Sequence, residues 1–466
     1  MFFSHFNSGY LVTIVEEDHG ISDGGGTNTF GSYGTFYFDA SEVFPDGVCN
    51  LSTKLCFSDG SVNRTFSFML GHADAIAFIG CTPPEMRFFS HDVIINGRLT
   101  EEYPFFPGQN FGDTLSIRNV NVSSTTSIFD QPSVVIHSAD GDVAEVVANA
   151  YVQGGVLQKS DVSIRGVSTE TVRLWDRSGG KSWKESRPDI LSFISRMTAP
   201  AGGMTDPAYL KYKTTPWPVY VYFAEDEQKP TAPLNPAIKP RSSVVSTDEV
   251  LMLKDSYKSL ANLVINSFVK KMSATYITDQ SLNLKKEGFY DSWDAILAKK
   301  NNDSWILPTR DATYGNPIFQ SDEGLLYTQR TAVVVIGVLH SKVIGAAYSS
   351  AGVDVISAKT GQVSSTQWFL DADLEGSATR FFDEATVNCS DAELLFAFEV
   401  LPPGGCRSVD STTAKWCVEF NATAATVATP IVSGGERIYS LESTGIGPDA
   451  DKTLAAHLLI FNLPAE

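Results

Sequence analysis

Short apolar runs separated by polar turns dominate the pattern of this chain. Two of them, Ala75–Cys81 and residues 86–95, flank a Pro83-Pro84 pair. Because proline fixes its own φ and disfavours helix just before it, the chain is expected to turn there. Runs of this length are typical of buried strands. The same pattern predicts strands at residues 10–16, 34–38, 133–137, 217–223, 331–339, 345–356, 367–370, 394–400, 416–420 and 454–462.

Helical spacing of apolar residues marks a second class of segment. In residues 249–272 apolar side chains recur at 250, 251, 253, 257, 260, 263, 264 and 268. This spacing predicts an amphipathic helix, capped by Ser246, Thr247 or Asp248. Helices are also predicted at residues 143–152, 170–175, 188–197 and 290–298. Strands and helices together predict an α+β fold.

A proline-rich segment divides the chain. Residues 225–248 contain Pro230, Pro233, Pro236 and Pro240 among Lys, Glu and Ser residues, a composition typical of a linker. We therefore expect two strand-rich α+β domains with helices on one face, residues 1–224 and residues 249–466. Residues 75–81 and 332–338 share the order small residue, apolar run and glycine. This likeness raises the hypothesis that the two domains arose by internal duplication.

The charge of the chain excludes two classes of partner. The formal net charge is −19 at pH 7, whereas nucleic-acid binding needs clustered Lys and Arg. The same charge disfavours docking on anionic lipid. No apolar run approaches the roughly 20 residues that a membrane helix needs. We therefore expect no nucleic-acid partner and no membrane insertion.

Cysteines and glycosylation sequons favour an oxidising compartment. Cys49 and Cys56 bracket one short loop, and Cys406 and Cys417 bracket another, so both pairs predict local disulfides. A zinc site is the weaker alternative, because no CxxC pair or suitably spaced histidine is present. N-glycans are predicted at six sequon asparagines, Asn50, Asn63, Asn121, Asn302, Asn388 and Asn421.

The amino-terminal residues lack the basic segment of a signal peptide. The protein is therefore expected to be intracellular or to have lost a leader. The cysteines favour the second alternative, an extracellular or secretory-pathway glycoprotein.

Histidines that border the apolar runs are the best candidates for catalysis. Imidazole can act as a general base near neutral pH, and neighbouring Asp or Arg side chains can orient it. Arg310 lies in a polar loop, where its guanidinium could bind a carboxylate through two hydrogen bonds. The predicted catalytic residues are His91, His137, His340, Asp140 and Arg310, and the predicted binding residues are Arg87, Asp92, Asp311, Tyr314 and Tyr348. For each of them the alternative is a hydrogen-bonded structural role.

Asp140 has a specific alternative role. It follows the predicted strand at residues 133–137 and precedes the predicted helix at residues 143–152. Ligands of open α/β sheets bind at such strand ends. The same position is also that of a helix N-cap, where the carboxylate accepts backbone N–H bonds and performs no chemistry.

No catalytic or nucleotide-binding motif occurs in the sequence, so we expect no metal and no cofactor. The segments FIGCTPPEMRFFS (residues 78–90) and RDATYG (residues 310–315) resemble uncharacterised secreted or endomembrane proteins of algal type. That resemblance implies a secretory-pathway or extracellular location, and it implies no particular activity.

Two hypotheses about function follow from the sequence. The first is an enzyme that acts on a small or sugar-like molecule through a His/Asp/Arg site between the two domains. The second is a non-catalytic structural or adhesive glycoprotein that assembles with copies of itself. The expected partner is accordingly a small-molecule ligand or a second copy of the chain.

Overall fold

The computed structural model describes residues 3–14, 31–49, 56–59, 62–99, 104–105, 109–110, 114–155, 157–215, 217–224, 231–235, 247–284, 312–316, 328, 330–357, 363–385, 387, 389–408, 414–420, 430–441 and 447–464. These residues form two compact units. In the described part of the chain, unit 1 ends at Asn235 and unit 2 begins at Thr247.

In the described residues, unit 1 is built on one large sheet with four short to medium α-helices. Its fourteen described strands are β1 (Phe3–Ile14), β2 (Gly31–Asp39), β3 (Phe57–Asp59), β4 (Val62–Thr65), β5 (Ser67–Phe68), β6 (Ala75–Cys81), β7 (Met86–Leu99), β8 (Pro104–Phe105), β9 (Gln109–Asn110), β10 (Leu115–Ser116), β11 (Pro132–Ser138), β12 (Val162–Gly166), β13 (Asp189–Pro200) and β14 (Pro218–Ala224). Its helices are α1 (Ala40–Val43), α2 (Gly141–Gln153), α3 (Trp183–Ser186) and α4 (Pro207–Thr214). The main strand order is β10-β7-β13-β2-β1-β14-β6-β11-β12.

Strand alternation gives the sheet of unit 1 two buried faces. Ile76 and Phe78 point into the main core, whereas Ala75 and Ala77 point to the opposite side, against α2. Val135 likewise lies in the main core, while its neighbours Val134 and Ile136 pack beneath α2. Successive side chains of a strand point to opposite faces, so both faces of β6 and β11 are covered.

Unit 2 consists of two five-stranded sheets and a helical layer. Its described strands are β15 (Thr275–Ser281), β16 (Asn283–Leu284), β17 (Ala312–Asn316), β18 (Thr331–Val338), β19 (Ala346–Ser357), β20 (Val363–Leu370), β21 (Leu395–Leu401), β22 (Cys417–Glu419), β23 (Pro430–Leu441) and β24 (His457–Asn462). Its helices are α5 (Glu249–Met272), α6 (His340–Val343), α7 (Asp371–Leu374) and α8 (Thr379–Glu384). The strand orders are β15-β24-β18-β21-β22 and β16-β17-β23-β19-β20.

The apolar strand β18 connects the layers of unit 2. Its even-numbered residues, such as Val334 and Ile336, share a core with Leu253 and Leu260 of α5. Its odd-numbered residues share a second core with residues of the other sheet, such as Val353. All eight residues of β18 are buried. Unit 2 is therefore layered as helix, sheet and sheet.

The structure confirms the α+β class. Helix α5 covers the predicted residues, and Asp248 is its N-cap, with its carboxylate accepting the Leu251 N–H at 3.0 Å. The internal duplication stays a prediction. Both predicted disulfides are present, with Cα–Cα distances of 5.4 Å for Cys49–Cys56 and 5.7 Å for Cys406–Cys417.

Two predicted helices are wrong. In place of the helix predicted at residues 188–197, residues 189–197 belong to β13, which pairs with β7 on one side and β2 on the other. Nearly every residue of β13 is buried, on both faces, so its apolar positions do not alternate and imitate a helical period. Residues 170–175 form turns and a bridge instead of a helix. The predicted helix at residues 290–298 lies outside the described residues.

Residues 231–235 of the proline-rich segment are attached to unit 1. The Gly141 N–H donates to Ala232 O at 2.7 Å, and the Leu234 N–H donates to Ala139 O at 2.9 Å. A Cβ added to Gly166 would lie 2.2 Å from Leu234 O, so only glycine fits there. We call residues 231–235 the strap.

Among the described helices, none is both long and apolar enough to cross a membrane.

Candidate functional site

A fully buried polar cluster surrounds His340 in unit 2. His340 begins α6, directly after β18, and its side chain is fully buried. Its Nδ1 lies 2.7 Å from Glu249 Oε1, and its Nε2 lies 2.9 Å from Glu436 Oε1. Both carboxylates are also buried. Glu249, His340 and Glu436 are called the buried triad below.

Backbone amides complete the buried triad. Glu249 Oε2 accepts the Leu454 N–H at 2.9 Å, and Glu436 Oε2 accepts the Ala456 N–H at 3.0 Å. Glu249 stands at the start of α5 and Glu436 lies in β23. The triad therefore ties the helical layer, the end of β18, the second sheet and the segment before β24 to one imidazole ring.

The electrostatics of the triad favour the imidazolium form. Burial alone would lower the pKa of His340, but the carboxylates of Glu249 and Glu436 together raise it well above its ordinary value. Only a doubly protonated ring can donate from both nitrogens at once. His340 is thus held as a cation whose two N–H groups are occupied, and neither nitrogen is available as a general base.

Asp371 lies beside this cluster and is also buried. Its Oδ2 accepts both the N–H and the Oγ–H of Ser341, each at 2.9 Å. Burial raises the pKa of Asp371, while the charge of His340 and the bonds from Ser341 oppose that shift.

The two glutamates of the triad were not among the site residues predicted from the sequence. Glu249 occupies the first turn of a helix, where acidic residues are common because they complement the helix dipole. Glu436 follows Gly434-Gly435 within a strand. Within that polar stretch of the strand, no local pattern marks Glu436 as a buried carboxylate.

His91 and His137 come together in the core of unit 1. Their rings lie 5.7 Å and 6.2 Å from the ring of Phe193, measured between centroids. Phe78 lies 5.5 Å from His91 on the same measure. Both histidines are nearly completely buried, and no described residue hydrogen-bonds to Nδ1 of His91 or to either ring nitrogen of His137.

Both rings are neutral over the physiological range. Burial, assisted by the charge of Arg196, lowers the pKa of His91 to about 3. Burial also lowers the pKa of His137 to about 3, with smaller contributions from Arg165 and His91.

Two predicted binding residues near His91 in the sequence, Asp92 and Arg87, lie in different environments. Asp92 is buried and pairs with Arg196 on the adjacent strand β13. Arg87, at the start of β7, is exposed.

Asp140 is the N-cap of α2. Its Oδ1 accepts the Asp142 N–H at 2.9 Å, and its Oδ2 accepts the Thr231 N–H of the strap at 2.7 Å. The structural alternative raised from the sequence is therefore present. The carboxylate links the end of β11, the helix and the strap.

The remaining candidates are distributed as follows. Tyr348 is buried in β19, with its ring edge against Tyr439 at 5.2 Å. Tyr314 lies on β17. Arg310 and Asp311 lie outside the described residues. The predicted meeting of His91 or His137 with His340 or Arg310 stays a prediction.

An open cleft of about 580 Å³ lies on the surface of unit 1. It is lined by Glu85 and by the consecutive residues Ser124, Thr125, Thr126, Ser127, Ile128, Phe129 and Asp130. Ser124 Oγ accepts the N–H groups of Thr126 and Ser127, and Ser127 Oγ accepts that of Phe129. These bonds hold the loop in one conformation. We call residues 124–130 the cleft loop.

At the end of the cleft loop, the side chain of Phe129 and the backbone of Asp130 have fixed positions. Phe129 packs edge-on against the buried Phe89, with 6.4 Å between ring centroids. Asp130 has a φ of 54°, in the left-handed region that Asp tolerates better than most residues. Its N–H donates to Pro83 O at 3.1 Å, and its side chain is exposed. The cleft thus combines hydroxyls, two carboxylates and one anchored aromatic ring.

Among the described residues, no group of three or more His, Cys, Asp or Glu side chains is arranged to hold a metal ion.

Comparison with known proteins identifies no family. No family model matches the chain, and no curated protein matches it either. Among solved structures, the VPA0106 protein from Vibrio parahaemolyticus is similar at a TM-score of 0.37 and 10% identity, over 86% of this chain and 88% of that one. An uncharacterised protein from Burkholderia cenocepacia is similar at a TM-score of 0.38 and 9% identity, over 98% of this chain and 82% of that one. Likenesses this weak establish neither a shared fold nor a function. The resemblance to algal-type proteins stays a prediction.

Substitution of His340 tests the buried triad. We expect His340→Gln to lower the free energy of unfolding by about 3–5 kcal/mol, because removal of the cation leaves two buried carboxylates unpaired. The folded-state pKa of His340 is raised. Its contribution is therefore complete below the unfolded-state value of about 6.5 and is lost as the pH rises through the folded-state value. Urea unfolding from pH 6 to pH 10 measures this alkaline loss, which His340→Gln should lack. Parallel pH curves for the two proteins would contradict the assignment, and His457→Gln, at a half-buried histidine of the same unit, is the control.

A second substitution tests the cap of α2. We expect Asp140→Ala to destabilise unit 1 by about 1–2 kcal/mol, since the N–H groups of the helix and of the strap lose their acceptor. Asp142→Ala is the matched control, because this exposed side chain accepts only from the Thr231 hydroxyl in the described structure, and it should change stability by less than about 0.5 kcal/mol. Thermal or urea unfolding measures both. Equal effects of the two variants would show that Asp140 is not the cap on which the helix depends.

Proposed function

We propose that this protein is an extracellular or secretory-pathway glycoprotein that binds a sugar-like molecule in the surface cleft and performs no chemistry on it. The observation that carries the proposal is the composition of the cleft. Serine and threonine hydroxyls can both donate and accept, carboxylates accept, and an aromatic ring offers an apolar face. Hydroxyl and carboxylate groups beside an aromatic ring suit a neutral polyhydroxyl ligand.

The architecture of the cleft loop supports recognition by fixed groups. Because Ser127 accepts the Phe129 N–H through its oxygen, its hydroxyl hydrogen remains for a ligand. Ser124 and Thr126 share a hydroxyl–hydroxyl bond of 3.3 Å, which fixes the orientation of both side chains. Phe129 is positioned by the core through Phe89. A ligand that meets preorganised groups pays less conformational entropy on binding.

A binding role accords with the state of the candidate catalytic histidines. Both nitrogens of His340 are engaged by carboxylates. His91 and His137 are enclosed by aromatic side chains in the core of unit 1. A general base must come within hydrogen-bond reach of the proton that it removes, so a catalytic role for any of the three requires the fold to open.

The compartment rests on separate support. Disulfides persist in oxidising environments, and both described disulfides close short loops. The sequon residue Asn63 lies on β4 with its side chain exposed, while Asn121 is exposed but donates from Nδ2 to Val162 O at 2.8 Å. Asn50, Asn302, Asn388 and Asn421 lie outside the described residues.

Self-association is the second candidate function. Strand β15 stands at the end of its sheet, where it pairs with β24 in the described structure. Ile277, within β15, is 47% exposed. An edge strand with an exposed apolar residue is a template for pairing with another chain. A particle mass that grows with concentration in analytical ultracentrifugation would favour this alternative.

Ligand binding can be measured directly. We expect at least one of maltohexaose, cellohexaose, laminarihexaose and mannohexaose to bind in isothermal titration calorimetry. Phe129→Ala and Asp130→Asn should each weaken that binding by about tenfold, which corresponds to about 1.4 kcal/mol. Glu145→Gln is the control, because this exposed carboxylate lies on α2 outside the cleft. Absence of binding by all four sugars, or equal binding by all three variants, would contradict the proposed site.

The compartment has its own test. Protein secreted from a eukaryotic host should lose mass on treatment with an N-glycosidase and gain about 2 Da for each disulfide reduced. Asn63→Gln should remove one glycan, whereas Asn262→Gln, at an exposed asparagine of α5 outside any sequon, should remove none. An intact mass equal to that of the bare chain, unchanged by either treatment, would contradict a secretory-pathway glycoprotein.

A further inference from the structure

We propose that unit 1 contains an acid-sensitive switch, formed by His91 and His137, whose protonation opens the packing of β7, β11 and β13. The inference goes beyond the proposed binding function and does not depend on it. It begins from the position of the two rings at nearly opposite ends of the strand order, on β7 and β11. Both contact Phe193 of β13, so the core brings the two ends of the sheet together at this ring.

The surroundings of the two rings are poor at solvating a charge. The aromatic neighbours of His91 are Phe78, Phe89 and Phe193, at centroid distances of 5.5, 5.8 and 5.7 Å. No described residue accepts a hydrogen bond from either ring nitrogen of His137 or from Nδ1 of His91. Burying a charge with so few acceptors is strongly disfavoured, so protonation destabilises the closed packing.

The charged groups nearby add to this effect. In the described part of the chain, the charges that act on the two rings are those of Arg196 on β13 and Arg165 on β12, and the rings also act on each other. Arg196 is paired with Asp92. Arg165 donates to backbone carbonyls of Ile164 and Asn119. Each further proton would therefore enter a region that already holds positive charge.

The buried triad of unit 2 holds its histidine in the opposite way. His340 is paired with two carboxylates and keeps its proton in the folded state. Acidification from neutral pH therefore leaves the triad charged, while it penalises the core around His91 and His137. Burial also lowers the pKa of His457 in unit 2, but the carboxylates of Asp279 and Glu436 oppose that shift, so we expect the larger opening in unit 1.

Hydrogen exchange of the full-length protein, followed by mass spectrometry at pH 7 and pH 5, tests the switch. After correction for the intrinsic exchange rate, peptides covering residues 86–95 and 132–138 should lose protection at pH 5. The folded-state pKa values of about 3 for both histidines, against about 6.5 when solvated, predict a loss of roughly tenfold per histidine for each pH unit below 6.5. Peptides covering residues 331–338 and 395–401 of unit 2 should keep their protection.

Variants separate the two histidines from other acid-sensitive groups. The double variant His91→Phe/His137→Phe should retain its protection at pH 5, because it keeps the aromatic packing and cannot take up protons. His457→Phe in unit 2 is the control and should respond to acid as the wild-type protein does. If circular dichroism shows that the double variant is unfolded, the single variants replace it. In each of them the logarithm of the protection factor should depend on pH half as steeply as in the wild-type protein. Unchanged protection of the wild-type protein at pH 5, or an acid response that survives both substitutions, would overturn the proposal.

Discussion

Unit 2 depends on one buried cation held between two buried carboxylates. The triad of Glu249, His340 and Glu436 joins the start of α5, the end of β18 and the strand β23. Apolar packing alone would allow the helix and the two sheets to slide, since dispersion and hydrophobic contacts have little directionality. The triad removes that freedom because each bond has a fixed length and direction and each member is excluded from water. Removing one member is expected to be far more damaging than the modest net contribution of a complete buried ion pair would suggest.

Unit 1 buries polar groups in two ways. Arg98 and Asp189 form a two-bond ion pair, with Nε–Oδ1 at 2.6 Å and Nη2–Oδ2 at 2.5 Å, and Asp92 pairs with Arg196. In the described structure no such partner bonds to Nδ1 of His91 or to either ring nitrogen of His137, and both rings remain neutral. Charged groups are thus paired with groups of opposite sign, whereas these two histidines stay uncharged. His340 of the triad and the pair of His91 and His137 consequently respond to protons in opposite ways, although all three are buried beside apolar strands.

The sequence predicted local structure better than it predicted the candidate site. Helix α5 was found from its apolar period, and strand β18 from its unbroken apolar run, because each signal is contained within one segment. Strand β13 was misread, since burial on both faces removes the alternation that identifies a strand. Glu249 and Glu436 were missed for a different reason. Their role depends on His340, which is 91 and 96 residues away in the chain, and local pattern does not reveal which distant residues will meet.

The position of the strap supports the cleft, rather than a strand end, as the proposed binding site. In open α/β sheets ligands bind beyond the carboxyl ends of parallel strands, and β11, α2 and the parallel strand β12 form one such unit. Here that end is filled by the chain itself. Asp140 receives the N–H of Thr231, Gly141 donates to Ala232 O, and Gly166 lies directly against Leu234 O. The groups that could hold a ligand at this end are used to fasten the strap. A ligand there would have to displace several hydrogen bonds, whereas one at the cleft loop meets exposed hydroxyls and carboxylates at the surface.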